Sequence, residues 1–206
     1  DGKQRAPGEC ELPASGAMRV PGVGYASREL MRTMDDKVRE QVRIADVMPT
    51  VLELARRHPH AGVPTDEAAL RAFYSFTDFA HFIEVYISVN RLVRTADDVR
   101  ALVTGLGRDL AAVNVRYAEV TVTPDSHLLM GIAPEAVADA LTRGRADVLA
   151  EHGVELAWVF DIPGELGLES GLRTIDWVER HRPEHSVGFG LGGPEIGVAR
   201  PQFADI

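Results

Sequence analysis

Cysteine is almost missing from this chain: among 206 residues a single thiol occurs, at Cys10. That excludes an intrachain disulfide and any zinc site built from clustered cysteines. No apolar run approaches the roughly 20 residues that span a bilayer, and the N-terminal stretch lacks a hydrophobic signal core. No membrane partner is expected, and cytoplasmic residence is the default reading. Positive charge is also short. Twenty-two Lys and Arg against 31 Asp and Glu leave a formal net charge of -9, which disfavours nonspecific binding to nucleic acid. No Walker loop, dinucleotide-binding glycine fingerprint, serine nucleophile elbow or His-Glu-x-x-His motif occurs. The histidines, His58, His60, His81, His127, His152, His181 and His185, are scattered. Of these, His58 and His60 alternate around Pro59 in what reads as a helix-ending loop rather than a metal pair.

What is present is an ordinary globular balance, 45% hydrophobic and 26% charged, enough for one sizeable core. The most conspicuous stretch is 187–195, VGFGLGGPE, which reads as a buried strand delivering backbone and one carboxylate to a strand-end site. Gly190, Gly192 and Gly193 let a flat ligand approach the main chain, or let the chain bend sharply. A second strand is expected over 115–123, and a third over 154–160. Glu119 sits near the centre of its strand, where a buried carboxylate needs an arginine partner or a place in a site. Asp161, just past the third strand, orients a neighbour or holds a loop, and is read chiefly as the latter.

Residues 1–27 are rich in Gly and Pro and read as a loop or irregular arm, poorly suited to an internal strand or helix. An amphipathic helix is expected from Ser27 to about Met48. Helices are then expected from Thr50 to His58, and across 68–93 as one helix or two joined near Asp78. The broad apolar face of 68–93, with Phe73, Phe76, Phe79, Phe82 and Tyr86, packs in the core or covers a ligand. Thr95 and Asp98 form a capping-box pattern for a helix reaching Ala112, whose Gly105 and Gly107 imply close packing or a weak helix. A loop is expected over 124–131, a helix from Pro134 to His152 weakened at Gly144, and another from Leu168 to His181 with Leu172, Ile175 and Trp177 as its apolar surface. The segment 201–206 looks like the approach to a further helix.

From Thr95 onward the order is helix, strand, helix, strand, helix, strand, at a spacing that fits parallel β/α units. The segments 79–86, 92–100, 115–124, 160–164 and 187–195 together resemble the adenosine deaminase family of metal-dependent purine aminohydrolases, a bacterial branch of it, from about Pro49 to Ile206. The resemblance implies an α/β fold, a partial TIM-type (β/α) barrel, covering roughly the first half of a family member. Residues 49–206 form that domain, and 1–48 precede it as arm and amphipathic helix. It implies hydrolytic removal of the exocyclic 6-amino group from adenosine or a related aminonucleoside, with zinc as the cofactor of complete members. Gly193 resembles the glycine whose main-chain amide contacts the purine ring, Glu195 the carboxylate closing the same motif, and Phe79 and Phe82 the helix covering an apolar ribose-side subsite. The family's paired metal histidines have no counterpart after Glu11 and Leu12, so no metal ligand is assigned. Two alternatives stand beside deamination: a noncatalytic purine-binding relative, and a half-barrel completed by another polypeptide or by a second copy.

Overall fold

The computed structural model describes residues 17–19, 25–27, 48–193 and 198–206. The helix expected from Ser27 to Met48 therefore lies outside the described residues. Within the arm, β1 (Ala17–Arg19) pairs antiparallel with β2 (Tyr25–Ser27). Strands of three residues fit between glycines and prolines that would interrupt longer ones.

Helix α1 (Met48–Arg57) is followed by α2 (Glu67–Phe73) and α3 (Phe79–Asn90). The apolar stretch 68–93 thus breaks where a cap intervenes. The Asp78 carboxylate accepts from the His81 amide at 2.8 Å, as Asp66 accepts from Ala69 at 2.9 Å. Each satisfies an amide that the first helical turn leaves without a partner. Helix α4 (Ala96–Ala112) opens with the reciprocal Thr95–Asp98 capping box and packs along α6 (Pro134–His152). The glycines of these helices are there for closeness. A Cβ on Gly107 would lie 2.3 Å from both Val148 methyls, one on Gly144 2.8 Å from Val103, and one on Gly105 2.1 Å from the Thr50 hydroxyl.

Strands β3 (Tyr117–Val122), β4 (Glu155–Pro163) and β5 (Ser186–Gly192) form a parallel sheet in the order β3-β4-β5. Its register sorts residues between two faces. Val122, Phe160 and Phe189 share one row. That face meets the helices: the Phe160 ring lies edge-on to Trp177 of α7 (Gly167–His181) at 5.1 Å. Val120, Leu156 and Trp158 are fully buried with it. Each such side chain removed from water contributes about 1.5–3 kcal/mol before entropy is counted. The opposite face carries Tyr117, Glu119, Thr121 and Thr123 in alternate positions.

Three expectations are corrected here. Residues 124–129 are helix α5 (Pro124–Leu129), with Pro124 in the first turn, not loop. β5 is not buried: Val187 and Phe189 are 55% and 48% exposed, because β4 is its one partner among the described residues. Leu172 is exposed as well, so α7 buries itself through Ser170, Gly171, Thr174 and Trp177 instead. At the end of the chain, residues Arg200–Phe203 make a single 3-10 turn whose Phe203 is buried.

Candidate functional site

The three strand ends meet at one edge of the sheet, and the contacts that hold them there are polar. Thr123, next after β3, donates its hydroxyl to Asp161 of β4 at 2.5 Å. Asp161 is 4% exposed and lies opposite Gly190 in the β4–β5 register. It ties strand ends together rather than holding a loop, which corrects the earlier reading. One turn further, Asp125 of α5 is wholly buried and takes two bonds from the Arg173 guanidinium, 2.7 Å from Nε and 3.0 Å from Nη2. The Ser170 hydroxyl donates to the same carboxylate. This bidentate pair anchors the chain leaving β3 onto α7. His127, two residues on, is buried, and burial alone pushes its imidazole down to about 4.

At β5 the main chain is held by an arginine. Arg200 donates from Nη1 to the Gly192 carbonyl at 3.1 Å and from Nη2 to the Gly193 carbonyl at 3.2 Å. Gly193 has φ of +82°, a conformation that disfavours any side chain, and the Glu165 carboxylate occupies the place where its Cβ would project. Gly164, at the end of β4, approaches so closely that a Cβ would lie 3.0 Å from the Gly192 carbonyl oxygen. The arrangement fixes a stretch of backbone near the buried Asp161 carboxylate, at the carboxyl ends of parallel strands, where ligands bind in open α/β folds. It can present hydrogen-bonding main-chain groups to the rim of a flat heterocycle.

Of the residues picked from sequence, Gly193 stands in this site. Glu195 lies outside the described residues, as does the side chain of Phe79. Phe82 belongs to an aromatic cluster on α2 and α3, edge-on to Phe76 at 5.2 Å and stacked on Tyr86 at 6.3 Å. In the same cluster the Tyr74 hydroxyl is buried without a partner, and burial raises its pKa. Glu119 is exposed and accepts from the Tyr117 hydroxyl at 3.2 Å, and among the described residues no arginine pairs with it. Thr123, Arg173 and Arg200 were missed, because each acts on a partner distant in sequence or on backbone, and neither leaves a local pattern.

The histidines do not converge. His58 Nε2 lies 3.2 Å from Asp98, which also accepts from the Arg94 and Thr95 amides, so His58 serves the start of α4. His60 and His185 are exposed. Among the described residues no three His, Cys, Asp or Glu side chains group so as to hold a metal ion. The donors present there do not fit zinc.

Comparison with known proteins places this geometry in a family. Residues 47–206 match the family model described as adenosine deaminase. The chain belongs to the adenosine deaminase family. It is 55% identical over 155 residues to an aminodeoxyfutalosine deaminase of Streptomyces avermitilis, covering 74% of this chain and 43% of that protein. It is 31% identical over 150 residues to an adenine deaminase of Rhodospirillum rubrum, covering 73% and 43%. A solved amidohydrolase from Burkholderia ambifaria with bound zinc superposes with a TM-score of 0.66 at 24% identity, covering 77% of this chain and 43% of that one. The chain thus spans less than half the length of these relatives, and its three parallel strands with their helices are part of a TIM-type barrel. The family is a metal-dependent one, and the solved amidohydrolase holds zinc. Among the described residues no helix is long and apolar enough to cross a membrane.

Proposed function

We propose that this chain supplies the purine-contacting wall of a deaminase acting on an aminonucleoside of the aminodeoxyfutalosine type. The reaction is hydrolysis: water replaces the exocyclic amine of the six-membered ring, and ammonia leaves. One observation carries the reading. A glycine strand end clamped by Arg200 sits at the site edge of a chain 55% identical, over 155 residues, to an aminodeoxyfutalosine deaminase. In this reading the Gly193 main chain contacts the purine ring, and Glu195 closes the same motif. Phe79 and Phe82 cover an apolar ribose-side subsite, while Thr123, Asp161 and Arg200 keep the strand ends in register. In this reading the groups that activate water come from outside the described residues. Adenine, the free base, is the second substrate reading, supported by the 31% identity to an adenine deaminase.

The test is titration of 15N-labelled chain with aminodeoxyfutalosine, adenosine and adenine, following amide shifts. Perturbation of Gly192, Gly193 and the Arg200 side chain by the two nucleosides, stronger than by adenine, is expected. A response to adenine alone favours the second reading. Absence of any response at the strand ends to all three overturns the assignment of Gly193.

A further inference from the structure

Thr123, Asp161 and Gly190 form one row across the strand ends, on the face away from the helices. The Thr123 hydroxyl and the Asp161 carboxylate close their part of the row with a bond of 2.5 Å, and Asp161 is 4% exposed. Past Asp161 the row opens. A Cβ on Gly190 would meet no heavy atom of the described residues within 4 Å, whereas one on Gly188, a step earlier on the same face, would lie 3.2 Å from Val159. The face is thus filled at Val159 and Gly188 and open beside Asp161.

Among the described residues nothing requires glycine at position 190. Its φ lies outside the left-handed region, unlike that of Gly193 at +82°, and no packed neighbour excludes a side chain. In a strand glycine costs conformational entropy and gives up packing, so another residue would be the stabler choice. What glycine does provide is room against the sheet for a flat group from outside the chain. That room lies three residues inward from Gly193, about 10 Å along an extended chain. A purine ring with a hydrogen bond at either end can bridge such a span. The group bordering it is a carboxylate, which has about four acceptor sites and no donor, and Thr123 donates to one of them. The ligand edge that suits it is an N–H, not a carbonyl.

We propose that Asp161 is a specificity-determining residue of this site: held by Thr123, its carboxylate accepts from the exocyclic amine of a purine whose ring edge lies over Gly190. At that atom the substrate carries a donor and the product a carbonyl oxygen. The carboxylate therefore favours the amino ligand and sets acceptor against acceptor in the oxo one. This rests on the functional reading, with Gly193 at the outer edge of the ring, and adds the group that tells an amino purine from an oxo purine.

The experiment measures dissociation constants of adenosine and of inosine, which carries a carbonyl where adenosine has its amine. Titration calorimetry is run on the parent chain, Asp161→Asn and Gly190→Ala, and the Gly193 amide shift in 15N-labelled chain reports where each ligand sits. The parent is expected to prefer adenosine by about tenfold or more, the worth of a hydrogen bond to a charged group. Asparagine keeps the shape and the bond from Thr123 but also donates, so Asp161→Asn is expected to abolish or reverse the preference. That preference is a ratio within one variant, which partial loss of folding would not move. Gly190→Ala is expected to weaken both ligands by about tenfold, since its methyl takes up the room for the ring. Its urea midpoint stays equal or rises, because the methyl meets nothing within 4 Å among the described residues. Equal binding of both ligands by the parent, with Gly193 shifted, overturns the inference and leaves the functional reading standing. So does a preference that Asp161→Asn leaves unchanged, or an effect of Asp161→Asn that disappears with a dideoxy analogue of adenosine and so belongs to the sugar. No shift at Gly193 with either ligand overturns the functional reading and this role together.

Discussion

Replacing Gly107 by alanine sets two effects of known sign against each other. Alanine in a helix interior is favoured over glycine by about 1 kcal/mol, so a weak but loosely packed helix would gain from the change. In this structure the new Cβ would lie 2.3 Å from each methyl of Val148, which is fully buried, and 2.8 Å from its Cβ. Carbon atoms settle at about 3.5–4.0 Å, so α4 and α6 would have to separate by roughly 1 Å or more along a closely packed crossing. Overpacking of that kind costs about 1–3 kcal/mol, and contact with a whole isopropyl group argues for the upper end. The net expectation is a loss of about 2 kcal/mol. With a urea m-value of about 2 kcal/mol/M, the midpoint falls by about 1 M. In a Val148→Ala background the same substitution becomes neutral or favourable, giving a coupling of at least about 2 kcal/mol in the double-mutant cycle. Should Gly107→Ala raise the urea midpoint of the parent chain, the crossing is not as close as described, and the glycine is merely a weak point of the helix.

Two further predictions concern acid. His127 is held neutral by burial down to about 4, against an ordinary value of 6.5, so the unfolded chain binds a proton that the folded chain refuses between those limits. Stability therefore declines as pH falls from 6.5 towards 4, by about 3 kcal/mol in full, and His127→Leu flattens that limb; an unchanged slope in urea titrations between those pH values refutes it. Asp98 lies at 2% exposure, where burial opposes its charge, but bonds from the Arg94 and Thr95 amides and from His58 outweigh burial and lower its pKa. Its contribution is present above the unfolded carboxylate value and disappears as pH falls through the lower folded value, below about 4. Asp98→Ala, which strips the cap and leaves two amides without their acceptor, lowers stability at pH 7 by about 2–3 kcal/mol in urea denaturation; a loss under about 0.5 kcal/mol would mean water replaces the carboxylate.

The parts of this fold legible in sequence are those whose causes are local. Asp78 divides the apolar stretch 68–93 because its carboxylate caps the helix three residues ahead. Thr95 and Asp98 announce α4 in the same way, and apolar runs between turns announce the strands. Helix α5 was not legible. Pro124, Asp125, Ser126 and His127 look like a polar loop, and what fixes them is a buried carboxylate bound to Ser170 and Arg173, 45 and 48 residues away. The exposure of β5 was hidden for a related reason: Val187 and Phe189 spell a buried strand, and a strand's own sequence is the same whether or not its neighbour is present. In the site, Gly193 was picked from its motif. The arginine that holds it was not, since Arg200 binds carbonyl oxygens, which every residue has.

Glu119 shows how the uncovered sheet constrains its own completion. On the face away from the helices, Tyr117, Glu119, Thr121 and Thr123 stand in alternate positions, a polar file along an outer strand of the described sheet. While Glu119 is exposed, water and the Tyr117 hydroxyl suffice for its carboxylate. Closing further strands around this face would remove the water, and an ionised carboxylate without a partner there would cost several kcal/mol. Any element that packs over this face must therefore bring a cation or hydrogen-bond donor to Glu119, or leave its carboxylate in water.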